Sequence, residues 1–529
     1  MKRLGRSLVI WAMFVLSAYS LYSTYEYGRA KDLDAKLIHG ITNDLMAISI
    51  AISEERYGFN EGYIGRPEVM EALAGHLAPD GYLVNSARHE PLAQDRDAIE
   101  KAFQAAVSLD PAGFEHFSYP KNPFIIMNAE DTGLVDLYRL SFRLFGYHAD
   151  AMYRCVFLLL AASLLMFSAQ ARGSVWVSLL ILSSMLSFRL LFDSGVFDTV
   201  GAPSVNSNRN LGMLGILATL HLMLYSHMQN RYDPVVSRLL WLMQLALLLF
   251  VMSVRSAVLW QWLALLSWLL APVLWELYHN RDLRAVWKRY QAAIAAVACL
   301  LLVYQVVHKE RMDRHSHVYF GDCTMPHHLR WHSAYLGLTY LKDWEKLAPP
   351  EVAGATGDQV GWNISMNLWK RRHGESFTCP EFPQFLRLAV HDRYMGKAYW
   401  QFFIKHPWEV LKLHAVVKPL GIYHMAKGHL QRVWPAWSQF MAGFALCGLL
   451  YGLVAGLGRR QLLITAAPLY MLLLSNMPQM FAYPLYMIET VWLGMIAGLI
   501  GSVALGAVAG NIFRKALLRS DRGLPAEGS

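Results

Sequence analysis

The sequence predicts an all-α polytopic membrane protein of about ten transmembrane helices, and three observations lead there. Apolar residues fill 55% of the 529 positions and charged residues only 16%, where soluble domains are about a quarter charged. Uninterrupted apolar runs recur at the length of roughly 20 residues that crosses a hydrocarbon core. Basic residues gather in the connections between alternate runs. The net charge of +9 therefore reports membrane orientation, not affinity for nucleic acid. The sequence shows no phosphate-binding glycine loop, no CxxC pair and no solenoid-length repeat, so nucleotide-driven and zinc-ribbon chemistries have no motif behind them.

Lys2, Arg3 and Arg6 precede the first run, 7–25. That run is long for a secretory signal and no Ala-x-Ala pattern follows it closely, which predicts a retained signal anchor. Further spans are expected over 152–170, 174–192, 211–228, 235–253, 257–277, 290–307, 436–457, 461–477 and 484–511. With the N-terminus inside, the inside connections hold Arg172; Arg231; Arg281, Arg284, Lys288 and Arg289; and Arg459 with Arg460. The tail adds Arg514, Lys515, Arg519 and Arg522. Every inside connection agrees with the positive-inside rule.

This alternation divides the chain into an anchor (1–25), a first outside region (26–150), spans two to seven (151–307), a second outside region (308–434), the last three spans (435–512) and a cytoplasmic tail (513–529). Both termini are then cytoplasmic, and in a bacterial inner membrane both long hydrophilic regions face the periplasm. Cys155, Cys299 and Cys447 fall inside spans, where a thiol packs as a small apolar group. Cys323 and Cys379 lie outside, in a compartment that permits a disulfide between them.

The first outside region opens with a moderately apolar stretch through "LMAISIAISEERYG", expected as a helix on or near the membrane, and later holds "NAEDTGLVDLYRLSFRLFG". From Leu134 onward Asp136, Arg139 and Arg143 share one helical face, with Leu134, Leu137, Tyr138, Leu144 and Phe145 opposite. Such a helix lies along the interface, apolar side down. Glu130 and Asp131 stand just ahead of it. Asp131 or Thr132 suits a capping role there; Asp131 equally suits a general base.

The second outside region is rich in His, Trp and Tyr: His315, His317, His327, His328 and His332, then His406, His414, His424 and His429. Pro407 opens a second expected interfacial helix with Trp408, Leu411 and Ala415 on one face and Lys412 and Lys418 elsewhere. Lipid anchoring accounts for its aromatic and basic residues without catalysis. No HExxH or other specific metal spacing appears among the histidines.

Short outside turns carry Arg189, Asp193, Asp198, Asn206, Asn208, Arg209 and Arg255, and Glu489 lies one or two turns below the outer surface. Ionisable groups in these positions face a partner, a cavity or the bundle interior. Outward carboxylates, outward cations and the lack of a cytosolic nucleotide domain fit a donor delivered in the membrane. A sugar on a polyprenyl phosphate meets that need: its leaving group is already a stabilised anion, one carboxylate takes the acceptor proton, and cations neutralise the departing phosphate.

With "AEDTGLVDLYRLSFRLFG" in the first outside region, and "LRWHSAYLGL" and "HPWEVLKLHAVVKPL" in the second, the layout resembles the GT-C superfamily of membrane glycosyltransferases. The resemblance implies Asp131, with Glu130 beside it, as catalytic base. Arg189, Asn208, Arg209, Arg255, His332, Lys418 and Glu489 are then donor or lipid-phosphate contacts. The acid pair comes about a hundred residues after the first span, later than is usual in that superfamily, so Glu54 and Glu55 of "SEERYG" compete for the base role. The expected partners are membrane lipid, a polyprenyl-phosphate-linked sugar and a glycan or lipid-linked acceptor, without nucleic acid. The cofactor is not set by the sequence; a divalent cation held by acids and phosphates is the form it would take. Two other functions share these features: an oligosaccharide polymerase or ligase using lipid pyrophosphate, and a noncatalytic assembly or transport subunit for envelope glycans.

Overall fold

An apolar segment without water around it closes its own backbone hydrogen bonds as a helix, and the long runs do so here. The computed structural model describes residues 2–30, 45–58, 66–77, 96–114, 133–171, 173–198, 205, 207, 209–225, 228, 234–255, 258–280, scattered positions between 284 and 309, 329–352, 355, 357, 359–379, 386–476 and 487–520. Among these residues there is no strand, only one isolated antiparallel bridge between Thr378 and Leu386.

The first group of helices is α1 (Lys2–Ala30), α2 (Leu45–Tyr57), α3 (Pro67–Leu77), α4 (Arg96–Val107), α5 (Gly133–Phe145), α6 (Ala151–Ala171), α7 (Val175–Asp193), α8 (Leu214–Leu224), α9 (Pro234–Val254) and α10 (Leu259–Asn280). The second is α11 (Arg330–Leu336), α12 (Gln359–His373), α13 (Leu388–Lys405), α14 (Pro407–Lys412), α15 (Lys418–Arg432), α16 (Trp434–Ala455), α17 (Arg459–Ser475) and α18 (Ile488–Ser520).

Six helices among the described residues are long and apolar enough to cross a membrane: α1, α6, α7, α9, α16 and α18. This is consistent with a helical membrane protein. Of the other expected spans, α8 is short, although a 3₁₀ turn at Leu211–Met213 extends it. The 17-residue α17 falls just under span length, and tryptophans with Gln261 and Glu276 dilute the 22-residue α10. The stretch 290–307 lies mostly outside the described residues.

The closest helix pair is α16 with α18. A Cβ on Gly448 or Gly452 would run into the Val503 or Ala507 carbonyl, and one on Gly506 or Gly510 into the Ala445 or Leu449 carbonyl. Each helix thus presents a GxxxG face, which lets backbones approach where lipid supplies no hydrophobic drive. Trp437 likewise seats on Gly498. On its other side α18 reaches α7, where Trp492 Nε1 donates to the Ser184 carbonyl at 2.9 Å, and Ser20 of α1 donates to the Met185 carbonyl at 3.0 Å.

Helix ends collect on two rims. On one, Arg6 donates to the Gly173 carbonyl and Arg514 to the Val454 carbonyl. On the other, Tyr153 donates to the Tyr25 carbonyl, His429 contacts the Ser194 carbonyl at 3.0 Å, and Trp260 reaches Glu489. The described spans therefore run alternately up and down.

α5 lies on the second rim with Leu134, Val135, Leu137, Tyr138, Ser141 and Phe142 buried. Leu144, expected on that apolar face, is 51% exposed instead, because the buried stripe turns through positions 141 and 142. α2 is buried along Ala47–Glu54 and packs against both α5 and α3, so it belongs to the core of this region.

The second region builds its own core from α11, α12 and α13, centred on Leu338, Ile364, Met395 and Tyr399. From Pro407 one continuous helix returns to the bundle, interrupted by a π turn at Leu413–Val417. Pro419 explains the interruption: it has no N–H for the Ala415 carbonyl and its ring crowds that position.

Candidate functional site

Charged side chains meet inside the second rim. Glu489, in the first turn of α18, accepts a hydrogen bond from Trp260 Nε1 at 2.9 Å, and its Oε1 occupies the space that a Cβ on Gly212 would need. Arg255, 4% exposed just past the end of α9, is near enough for its charge to act on Glu489. Gln261 continues the cluster inward, donating to the Gly212 carbonyl at 2.8 Å and accepting from Thr219 at 3.1 Å. Arg209, half-buried, opens the turn that delivers Gly212. Three separate chain segments, around Gly212 and Thr219, from Arg255 to Gln261, and at Glu489, thus supply one buried polar cluster in an otherwise apolar bundle.

α5 begins beside this cluster. A Cβ on Gly133 would sit within the backbone of Ser253 and Val254, directly before Arg255, so only glycine permits the approach. Glu130, Asp131 and Thr132, immediately before Gly133, lie outside the described residues, as do Asn206, Asn208, Cys299, Cys323 and the histidines 315, 317, 327 and 328.

Arg189 is placed elsewhere on the same rim. It bonds Asp193 at 2.9 Å and lies 3.5 Å over the Tyr27 ring, while the Tyr27 hydroxyl donates to Asp193 at 2.6 Å. Nearby, His429 and Arg432 of α15 hold the Ser194 carbonyl, which fastens the second region to the bundle.

The competing acids Glu54 and Glu55 are engaged by arginines from α5. Arg139 reaches Glu54 at 2.7 Å and Glu55 at 3.4 Å, and Arg143 reaches Glu55 at 2.5 Å. Burial raises the Glu55 carboxyl, but the bonds and charges of Arg143 and Arg139 outweigh it and leave the group below its ordinary value. A carboxylate held in that way is a poor proton acceptor.

His332 and Lys418 belong to the second region. His391 Nε2 lies 2.8 Å from His332 Nδ1, and its Nδ1 lies 2.7 Å from Ser365 Oγ, with Trp362 stacked on the His391 ring at 3.7 Å. Both rings satisfy these bonds while neutral, whichever way the protons run. Ser365 and His391 are fully buried, so this chain ties α11, α12 and α13 together and offers no accessible nucleophile. The sequence did not single out His391 or Ser365; Ser365 sits mid-helix and His391 in the first turn of α13, both among mixed neighbours that carry no special spacing.

Lys418 follows the π turn at 2% exposure, and burial pushes its ammonium down to about 7. Cys379 is fully buried, with Sγ 3.6 Å from the Leu386 carbonyl oxygen; its pairing with Cys323 remains a proposal. No group of three His, Cys, Asp or Glu side chains placed to hold a metal occurs among the described residues.

Of the expected contacts, then, Arg255 and Glu489 lie in one neighbourhood, Arg209 lies in the turn just before Gly212, Arg189 stands apart on the same rim, and His332 and Lys418 are interior to the second region. Comparison with known proteins finds no matching family model, no matching curated protein and no matching solved structure.

Proposed function

We propose that this protein is a membrane glycosyltransferase of GT-C type, moving a sugar from a polyprenyl-phosphate donor to a glycan or lipid-linked acceptor on the periplasmic side of a bacterial inner membrane. The reading takes about ten spans and both termini as cytoplasmic. The observation that supports it is the close approach of Gly133 to Ser253 and Val254, the residues directly before the buried Arg255. Asp131 precedes Gly133 by two positions, a backbone reach of at most about 8 Å, and in this reading its carboxylate comes to that end of α9.

In this mechanism Asp131 removes the proton of the acceptor hydroxyl. The hydroxyl oxygen attacks the anomeric carbon, and the bond from that carbon to the phosphate oxygen breaks with its electron pair. Arg255 and Arg209 stabilise the departing polyprenyl phosphate. Glu489 supplies a counter-charge near the buried Arg255 guanidinium until the donor arrives.

Asp131→Asn is the informative variant. Asn caps a helix about as well as Asp, so the substitution preserves a cap and removes a base. Membranes bearing the protein are incubated with polyprenyl-phosphate sugars, and free polyprenyl phosphate and glycosylated product are measured. Wild type releases both; Asp131→Asn slows release by about 10²–10⁴ with an unchanged melting temperature, and Arg255→Gln also slows it. Undiminished transfer by Asp131→Asn would remove Asp131 as base. If Arg255→Gln is inactive in that same assay, a ligase-type mechanism resting on cations takes its place.

A further inference from the structure

The opposite rim holds a second polar pocket, which the proposed glycosyl transfer does not use. It has a volume of about 310 Å³ between α1, α7, α16 and α17, and its walls include Arg6, Arg460, Ser174, Trp176, Tyr451 and Gln461. Two guanidinium groups from different helices enter it close enough for like-charge repulsion. Arg6 is anchored by the Gly173 carbonyl, whereas the buried Nε of Arg460 has no acceptor among the described residues. The aromatic walls are held in place: Trp176 donates to Thr465 at 3.2 Å, and Gln461 to the Tyr451 hydroxyl at 3.0 Å.

The backbone adds to this field. Ser174 caps the 19-residue α7, and its first turn lines the pocket at Val175 and Trp176; α17 begins at Arg459, so its first turn also lines the pocket. Both helices point their positive ends at the same space. An anion bound in a partly enclosed site of this kind at a membrane edge is favoured by both cations and both helix N-termini, and supplies the acceptor that the Arg460 Nε lacks among the described residues. At the edge of a bilayer the abundant anion is the lipid phosphate, and basic pockets between spans on the cytoplasmic side take such headgroups.

We propose that this pocket seats the phosphate of an anionic glycerophospholipid. Its guanidinium groups bracket the phosphate oxygens, and Trp176 and Tyr451 lie against the glycerol end.

The test is thermal unfolding of the full chain in neutral detergent, titrated with phosphatidylglycerol, with phosphatidylcholine, or with inorganic phosphate. Wild type is stabilised by phosphatidylglycerol and not by the other two. Arg460→Gln starts at an equal or higher melting temperature without lipid, because the repulsion is gone, and needs at least tenfold more phosphatidylglycerol for half its response. Arg6→Gln, on a separate helix, repeats the loss and covers the case in which the first variant folds poorly. Equal responses from wild type and both variants overturn the proposal. Stabilisation by inorganic phosphate as large as that by phosphatidylglycerol overturns it too, and makes the ligand a soluble phosphate. The outcome is independent of the chemistry at the opposite rim.

Discussion

Lys418 illustrates how far burial can move a single group. Its ammonium falls to about 7 in the folded protein, while a solvated lysine titrates near 10.4. Between those values the unfolded chain binds more protons than the folded one, so stability rises with pH across the window and the full cost of the buried charge persists below about 7. Melting curves of wild type and Lys418→Met from pH 6.5 to 9.5 should therefore show wild type gaining on the variant as pH climbs. Parallel curves would mean that Lys418 is hydrated as usual. Residues of this kind were partly legible. Arg255 and Glu489 stood out because ionisable groups beside apolar runs need partners. That they lie in one neighbourhood was not, since over 200 positions separate them and no local pattern encodes so distant an approach. His391 carried no signal at all, because a histidine in a mixed helix looks solvated until the fold buries it.

At the level of elements, periodicity announced α5 within a residue of its observed start, and the apolar runs announced α6, α7 and α9. What periodicity missed was depth. It read α2 as a helix on or near the membrane without its burial against α5 and α3, because nothing in a 13-residue run states how many neighbours will cover it. The paired GxxxG faces of α16 and α18 were present in the sequence as "GLLYG" and "GAVAG", a signal that hydropathy alone passes over. Their prediction is steric. Gly506→Leu places a side chain against the Ala445 carbonyl and should destabilise the pair by about 1–3 kcal/mol, read as a lowered melting temperature in detergent. The same change at Gly501, where a Cβ meets nothing within 4 Å, should leave the melting temperature within a degree or two of wild type.

For the whole molecule, the two rims turn the charge pattern into a testable orientation. Cysteines introduced at the exposed positions Lys101 and Lys370 belong to the proposed periplasmic face, and one at Arg459 to the opposite rim. In spheroplasts a membrane-impermeant maleimide should label the first two directly and the third only after permeabilisation; label at Arg459 in sealed cells would invert the topology and with it the proposed chemistry. The wide turn between α14 and α15 bears on the same surface. Trp408, Leu411, Val416, Leu420 and Tyr423 are all exposed, at successive steps of three, five, four and three. A step of five leaves an ordinary helix about 140° past a full turn, splitting these side chains into two stripes. Leu413–Val417 absorbs the surplus residue, which brings the exposed apolar side chains back toward one greasy keel along the rod, the face that would meet lipid in the proposed orientation.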